Sequence, residues 1–226
     1  MTSKRFKKLP KGTTSFSAQT IGKLLPEVKK NCTTKFNESI DLSLQINNKQ
    51  KKNEINLRTV VNLPSGTGKK IKVAVVCEDA KAKDAKDAGA DIVGGDEFIE
   101  KIKSGELNFD KLISSTSMMI KLSKLGKVLG PKGLMPNPKL GTVTSDVKKA
   151  VKSLKEGQIE IKNDKDGNIA ASIGKKSFSD TKIIENYKSL IETVLKEKPK
   201  GIKGDFILSL FLTSTMGVSF KLKYKT

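Results

Sequence analysis

The sequence predicts a chain of mixed class, α/β and α+β: an α+β domain with an antiparallel sheet, built from both chain ends, and an α/β domain with a parallel sheet inserted between them. Three observations carry this. Segments near both ends alternate apolar and polar residues, the middle holds short continuous apolar runs, and positive charge is concentrated at the ends. A chain of 226 residues has room for one large domain or two small ones.

The elements follow in order. Ile21, Leu24, Leu25 and Val28 form an apolar helical stripe that Pro26 must kink or restart. In "ESIDLSLQI", Ile40, Leu42, Leu44 and Ile46 share one strand face, and Ser39, Asp41, Ser43 and Gln45 the other. "GQIEIKND" repeats the alternation, with Ile159 and Ile161 inward and Glu160 and Lys162 outward. "FILSLFLTST" sets Phe206, Leu208, Leu210 and Leu212 against Ser209, Thr213 and Thr215. Such alternation predicts an antiparallel sheet with one wet face. Ile183, Ile184, Tyr187, Leu190, Ile191 and Val194 recur with the helical period and predict a helix over the dry face.

The middle obeys another rule. "IKVAVVC", "IVGG" and "FDKLISS" read as buried strands, and "EDAKAKDAKDAGAD" and "DEFIEKIKSGE" as the helices between them. Met119, Leu122, Leu125 and Leu129 predict one further helix. This is a Rossmann-like α/β pattern, with a parallel sheet covered by helices. The domains are therefore expected at 1–66 with 157–226, and at 67–156, with "PSGTGKK" and "LKEGQ" as the crossings between them.

Net charge is +20. Residues 1–66 carry 13 basic and 4 acidic residues, and residues 157–226 carry 13 and 8, so the discontinuous domain holds +14 and the insert +6. An excess this large points to a polyanion. Without a basic amphipathic helix or a lipidation motif, nucleic acid is favoured over an anionic membrane. No apolar run of 18 residues exists, and "MTSKRFKKLPKG" is a basic arm suited to a polyanion rather than a secretory signal. Cys32 and Cys77 are isolated and no histidine is present, which excludes a Cys/His metal site and points to the reducing cytoplasm.

Catalysis finds little support. "LPSGTGKK" lacks the first glycine and the final Ser/Thr of a P-loop and reads as a bending crossing. In "GADIVGGDEF", Gly89 reads as a helix C-cap, and Gly94 and Gly95 as a turn into the next helix. The acids of the middle alternate with lysines, as solvated helix faces do. "GPKGLMPNPKLG" allows three readings, in falling order: a stiff loop pinned by Leu134 and Met135, a loop projecting Lys132 and Lys139 toward RNA phosphates, and a mononucleotide site. The rival to an RNA-binding protein is a nucleotide-dependent enzyme using the insert.

"SKLGKVLGPKGLMPNPKLGTVT", with "TKFNESIDL", "AGADIVGG", "GQIEIKNDKDGNIAASIGK" and "TSTMG" elsewhere along the chain, resembles the bacterial family of large-subunit ribosomal protein number one, which builds the mobile L-one stalk. The resemblance spans about Lys4 to Val218. It implies a structural, non-enzymatic protein of the large ribosomal subunit, without cofactor, membrane or obligate oligomer. Its partners would be the stalk region of 23S rRNA, the deacylated tRNA leaving the exit site, and its own operon's mRNA, whose translation it would repress. The discontinuous domain would be the main rRNA binder. The implied contacts are Lys35, Phe36, Ser39, Lys162, Lys165, Asp166, Gly167, Ser209, Thr215, Met216 and Gly217, with Lys132 and Lys139 peripheral. Lysines would neutralise phosphate, hydroxyls would bond ribose or phosphate oxygens, and Gly217 would admit close backbone approach. Phe36 is expected either to touch RNA or to pack in the core. Thr59, Lys162, Asp166 and Pro26 depart from the family pattern.

Overall fold

The computed structural model describes residues 4–9, 19–47, 57–105, 107–199 and 204–224. Of the basic arm expected over residues 1–12, only residues 4–9 are among them. The chain divides into two compact units, residues 1–68 with 159–226, and residues 69–158.

In the first unit, strands β1 (Ser39–Ile46), β7 (Asn168–Lys175), β8 (Ile207–Ser214) and β9 (Phe220–Lys221) form one antiparallel sheet in the order β7-β1-β8-β9. The alternation expected of β1 is realised along its whole length: Ile40, Leu42, Leu44 and Ile46 are buried and the residues between them are not. A slip of one residue would put all four in water, at about 1.5–3 kcal/mol each, and that fixes the register. Helices α2 (Ile21–Lys30) and α8 (Asp180–Lys196) cover the dry face through Leu24, Leu25, Val28, Ile183, Leu190, Ile191 and Val194. Pro26 lies inside α2, and the helix neither ends nor restarts there.

Two expectations for these strands fail. "GQIEIKND" does not join the main sheet; its strand β6 (Gln158–Lys162) pairs with β2 (Arg58–Asn62) in a separate two-stranded sheet. On β8, Leu208 is not inward. Gln45 faces Ser209 and Ile46 faces Ile207, so Leu208 is the extra residue of a bulge and is 51% exposed, while Ile207 takes the buried place. A second shift, between Ile40 and Asp41, makes Ile173 of β7 an extra residue in the same way.

The second unit is a parallel sheet, β4-β3-β5, of β3 (Val73–Val76), β4 (Ile92–Gly94) and β5 (Lys111–Ser114). The central strand is buried on both faces. Ala74 and Val76 pack with Phe98 and Ile102 of α4 (Asp96–Lys103), and Val73 and Val75 pack with Ala85 of α3 (Asp79–Asp87) and with Val147, Val151 and Leu154 of α7 (Val147–Glu156). Helix α3 closes on Gly89, at φ 91°, with the Gly89 N–H on Lys86 and the Ala90 N–H on Ala85, a Schellman cap. The single helix expected over residues 117–130 is two, α5 (Met119–Ser123) and α6 (Gly126–Leu129). Between them, the amides of Lys124 and Leu125 bond three residues back, to Lys121 and Leu122, and this tighter turn separates the two.

One buried polar residue organises the first crossing. Asn186 of α8 is fully buried; its Oδ1 accepts from the Ser65 amide at 3.0 Å, and its Nδ2 donates to the carbonyls of Gly66 (2.9 Å) and Ile173 (2.8 Å). Gly68, at φ 71°, lies where a Cβ would come within 2.9 Å of Lys175 and Phe178. Residues 65–68 are thus fastened to the first unit rather than free to bend. Asn186→Ala removes all three bonds and should lower stability by about 2–3 kcal/mol, read from the urea midpoint. Glu192→Ala on the exposed face of the same helix should change it by less than about 0.5 kcal/mol.

Candidate nucleic-acid interface

The residues singled out in the sequence separate into two groups at opposite ends of β1. At its start lie Lys35, Phe36 and Ser39, joined by Thr215, Met216 and Gly217 just after β8. At its end lie Ser209, which faces Gln45, and, following Lys162 at the end of β6, the loop holding Lys165, Asp166 and Gly167, where the Gly167 carbonyl accepts from the Ile46 amide at 2.8 Å. Seven strand steps, about 23 Å, separate the two ends. Lys132 and Lys139 belong to the second unit.

The first group is held together by a residue that no sequence pattern marks. Glu38 is fully buried; its carboxylate accepts from the Thr34 amide (3.2 Å), the Thr34 hydroxyl (2.8 Å) and the Met216 amide (3.2 Å). One buried charge therefore ties the 33–38 loop to the 214–217 turn, across 178 residues of sequence. Thr215 adds a second tie, its Oγ1 accepting from the Ser39 amide at 3.0 Å. The Gly217 amide closes the turn on the Ser214 carbonyl, and a Cβ at Gly217 would run into Ser214 Oγ. Arg5 of α1 (Lys4–Lys7) forks across the same edge, to Thr33 Oγ1 at 2.9 Å and the Met216 carbonyl at 2.6 Å.

With the turn and loop fixed from behind, the outward side chains are an unusual set. Phe36 is 54% and Met216 48% exposed, with Lys35 and Thr215 also exposed. Phe36 does not pack in the core. Two large apolar side chains held in water beside a lysine and a hydroxyl form a surface that can press on ribose or base while cation and hydroxyl meet phosphate.

At the far end, Asp164 shapes the loop. Its Oδ1 accepts from the amides of Asp166 (3.0 Å) and Asn168 (2.7 Å), and its carbonyl from the Gly167 amide (3.1 Å). The Asn168 amide leads the contacts that keep the Asp164 carboxyl below its ordinary range. Lys162, Lys165 and Asp166 point outward, whereas Gly167, buried at φ 82°, bends the loop from within. In the second unit, Lys132 and Lys139 are exposed on a loop pinned as expected: Leu134 and Met135 pack against the core there, and Asn137 and Thr142 hydrogen-bond across its base. Residues 111–145 hold six lysines and no acid, which equals the entire excess charge of the insert. Among the described residues, no group of three acidic or cysteine side chains is placed to hold a metal ion, and no helix is long and apolar enough to cross a membrane.

Residues 28–218 match the ribosomal protein L1p/L10e family. The chain belongs to that family. It is 67% identical to the large ribosomal subunit protein uL1 of Pelagibacter ubique (strain HTCC1062) over 224 residues, covering 99% of this chain and 98% of the relative. It is 49% identical to the uL1 of Prochlorococcus marinus (strain NATL1A) over 192 residues (85% and 82%). It is 43% identical to that of Fervidobacterium nodosum over 221 residues (97% and 94%). Family membership makes the chain a structural protein rather than an enzyme.

The geometry around Glu38 makes a pH prediction. Burial pushes its carboxyl up, but hydrogen bonds from the Thr34 hydroxyl and the Met216 and Thr34 amides outweigh this and hold it below its ordinary value of 4.5. A lowered folded value stabilises the fold above the ordinary value, and that contribution is lost as pH falls toward the folded one. Glu38→Gln should therefore be less stable at neutral pH yet lose less on acidification below about 4.5, so that melting temperatures of the two proteins converge.

Proposed function

We propose that this protein binds 23S rRNA of the large ribosomal subunit through the edge formed by residues 33–39 and 214–217, as a structural constituent of the mobile stalk. The observation that carries this reading is the pinning of two distant segments by Glu38, which leaves Lys35, Phe36, Thr215 and Met216 facing water together. A phenylalanine and a methionine half in water side by side on one edge suit a surface that a partner covers. Lys162, Lys165 and Ser209 form a second contact about 23 Å along the sheet, a span that a structured RNA can cover. Lys132 and Lys139 contribute peripheral phosphate contacts from the second unit. Residence in the large subunit makes the cytoplasm the working compartment.

Two finer roles belong to the same reading. The stalk assists departure of deacylated tRNA from the exit site, and the same edge binds an mRNA site resembling the rRNA one, which represses the protein's own operon. Crosslinking from the stalk to exit-site tRNA and repression of a reporter carrying the operon leader test these separately.

The direct test is affinity for a stalk-junction fragment of 23S rRNA. Thr215→Val deletes a hydroxyl at the centre of the edge and should weaken binding about tenfold or more, equivalent to ~1–2 kcal/mol, while the far-ultraviolet spectrum stays that of the folded chain. Lys132→Ala should change affinity less than about threefold. Equal affinity of the Thr215→Val and unaltered proteins would remove this edge from the interface.

A further inference from the structure

The N-terminal helix has a place in the structure that no motif marks. Helix α1 is a single turn of four residues, too short to persist in water alone. Among the described contacts, Arg5 fastens it. One guanidinium nitrogen donates to Thr33 Oγ1 and the other to the Met216 carbonyl, so a single side chain spans both halves of the candidate RNA edge. An arginine offers separated donors on one rigid plane, whereas a lysine ammonium is a point charge. In a chain with 44 basic residues of which two are arginines, this choice is specific. Just beyond it, Lys7 and Lys8 are exposed, and the Lys8 amide closes the turn on the Arg5 carbonyl at 3.1 Å. They are carried within one helical turn of the residue that grips Met216.

We infer that α1 is a third element of the RNA-binding edge: Arg5 docks it on the 214–217 turn, and docking places Lys7 and Lys8 against RNA phosphates. The inference rests on the proposed rRNA reading of that edge. Arg5 is a positioning residue, since its bonds to Thr33 and Met216 are spent inside the protein, and the two lysines meet the RNA. Docking also restrains Met216 through its carbonyl, so the helix and the exposed thioether are ordered together.

The consequence is a salt signature. Removing one lysine–phosphate pair lowers the slope of log affinity against log salt by about 0.7–0.9. With the full chain and a stalk-junction fragment of Pelagibacter ubique 23S rRNA, replacing both lysines (Lys7→Gln with Lys8→Gln) should lower the slope by about 1.4–1.8. Arg5→Gln removes the dock but keeps both lysines. It should lower the slope by a similar amount, and adding the two lysine changes to it should produce little further decrease. Arg5→Lys should not restore the slope. Melting temperatures of all variants within about 2 °C of the unaltered protein keep a folding defect from imitating the effect.

A slope unchanged by the double lysine variant would overturn the inference while leaving the rRNA reading intact. So would additive decreases from the arginine and lysine changes, which would mean that α1 is not held by Arg5. No binding of the unaltered chain to the fragment would overturn both.

Discussion

Strand β1 is the member on which the first unit depends. It lies between β7 and β8, which arrive well over a hundred residues later, and all four of its inward side chains are in the core. The candidate RNA edge exists because β1 begins where β8 ends. Only that antiparallel register sets Glu38 against the Met216 amide and Ser39 against Thr215. The cost of burying the Glu38 carboxylate is offset by three donors, and those donors belong to the loop and turn that must be rigid. A neutral apolar residue there would spare the desolvation cost and leave the Met216 amide unsatisfied.

Much of this architecture was legible in the sequence because burial dictates periodicity. β1, β3 and α8 are strongly one-faced or fully buried, and their patterns say so. What could not be read were effects of pairing. Leu208 alternates correctly along its own strand, yet a bulge against Gln45 turns it outward; the cause lies on the neighbouring strand. β6 shows the same alternation as the main sheet but pairs with β2, and alternation does not name a partner. β7 carries its own bulge at Ile173, so its pattern is blurred at the source.

The candidate site was legible as residues in motifs, whereas the contacts that hold them together were not. Lys35, Phe36, Thr215 and Met216 stand in recognisable motifs, but the groups that hold them do not. Glu38 looks like one more acid ahead of a strand, Asn186 like a polar residue on a helix face, and Arg5 like part of a basic tail. Each acquires its role from a partner more than a hundred residues away in sequence. Charge sorts in the same way. Both arginines make internal bonds, Arg5 to Met216 and Arg58 to Glu160, whereas Lys35, Lys162 and Lys165 point outward.

The antiparallel pairing of β1 with β8 also bears on how the protein is made. Synthesis runs from the N-terminus, and residues 69–158 form a continuous unit that can fold once they emerge. The edge at Ser39 cannot, because its other half is residues 214–217, some 176 residues further along the chain. A chain that stops short of residue 214 carries Lys35 and Phe36 without the turn that Glu38 fastens beside them. The candidate edge is thereby assembled only once residues 214–217 have been made, later than the second unit.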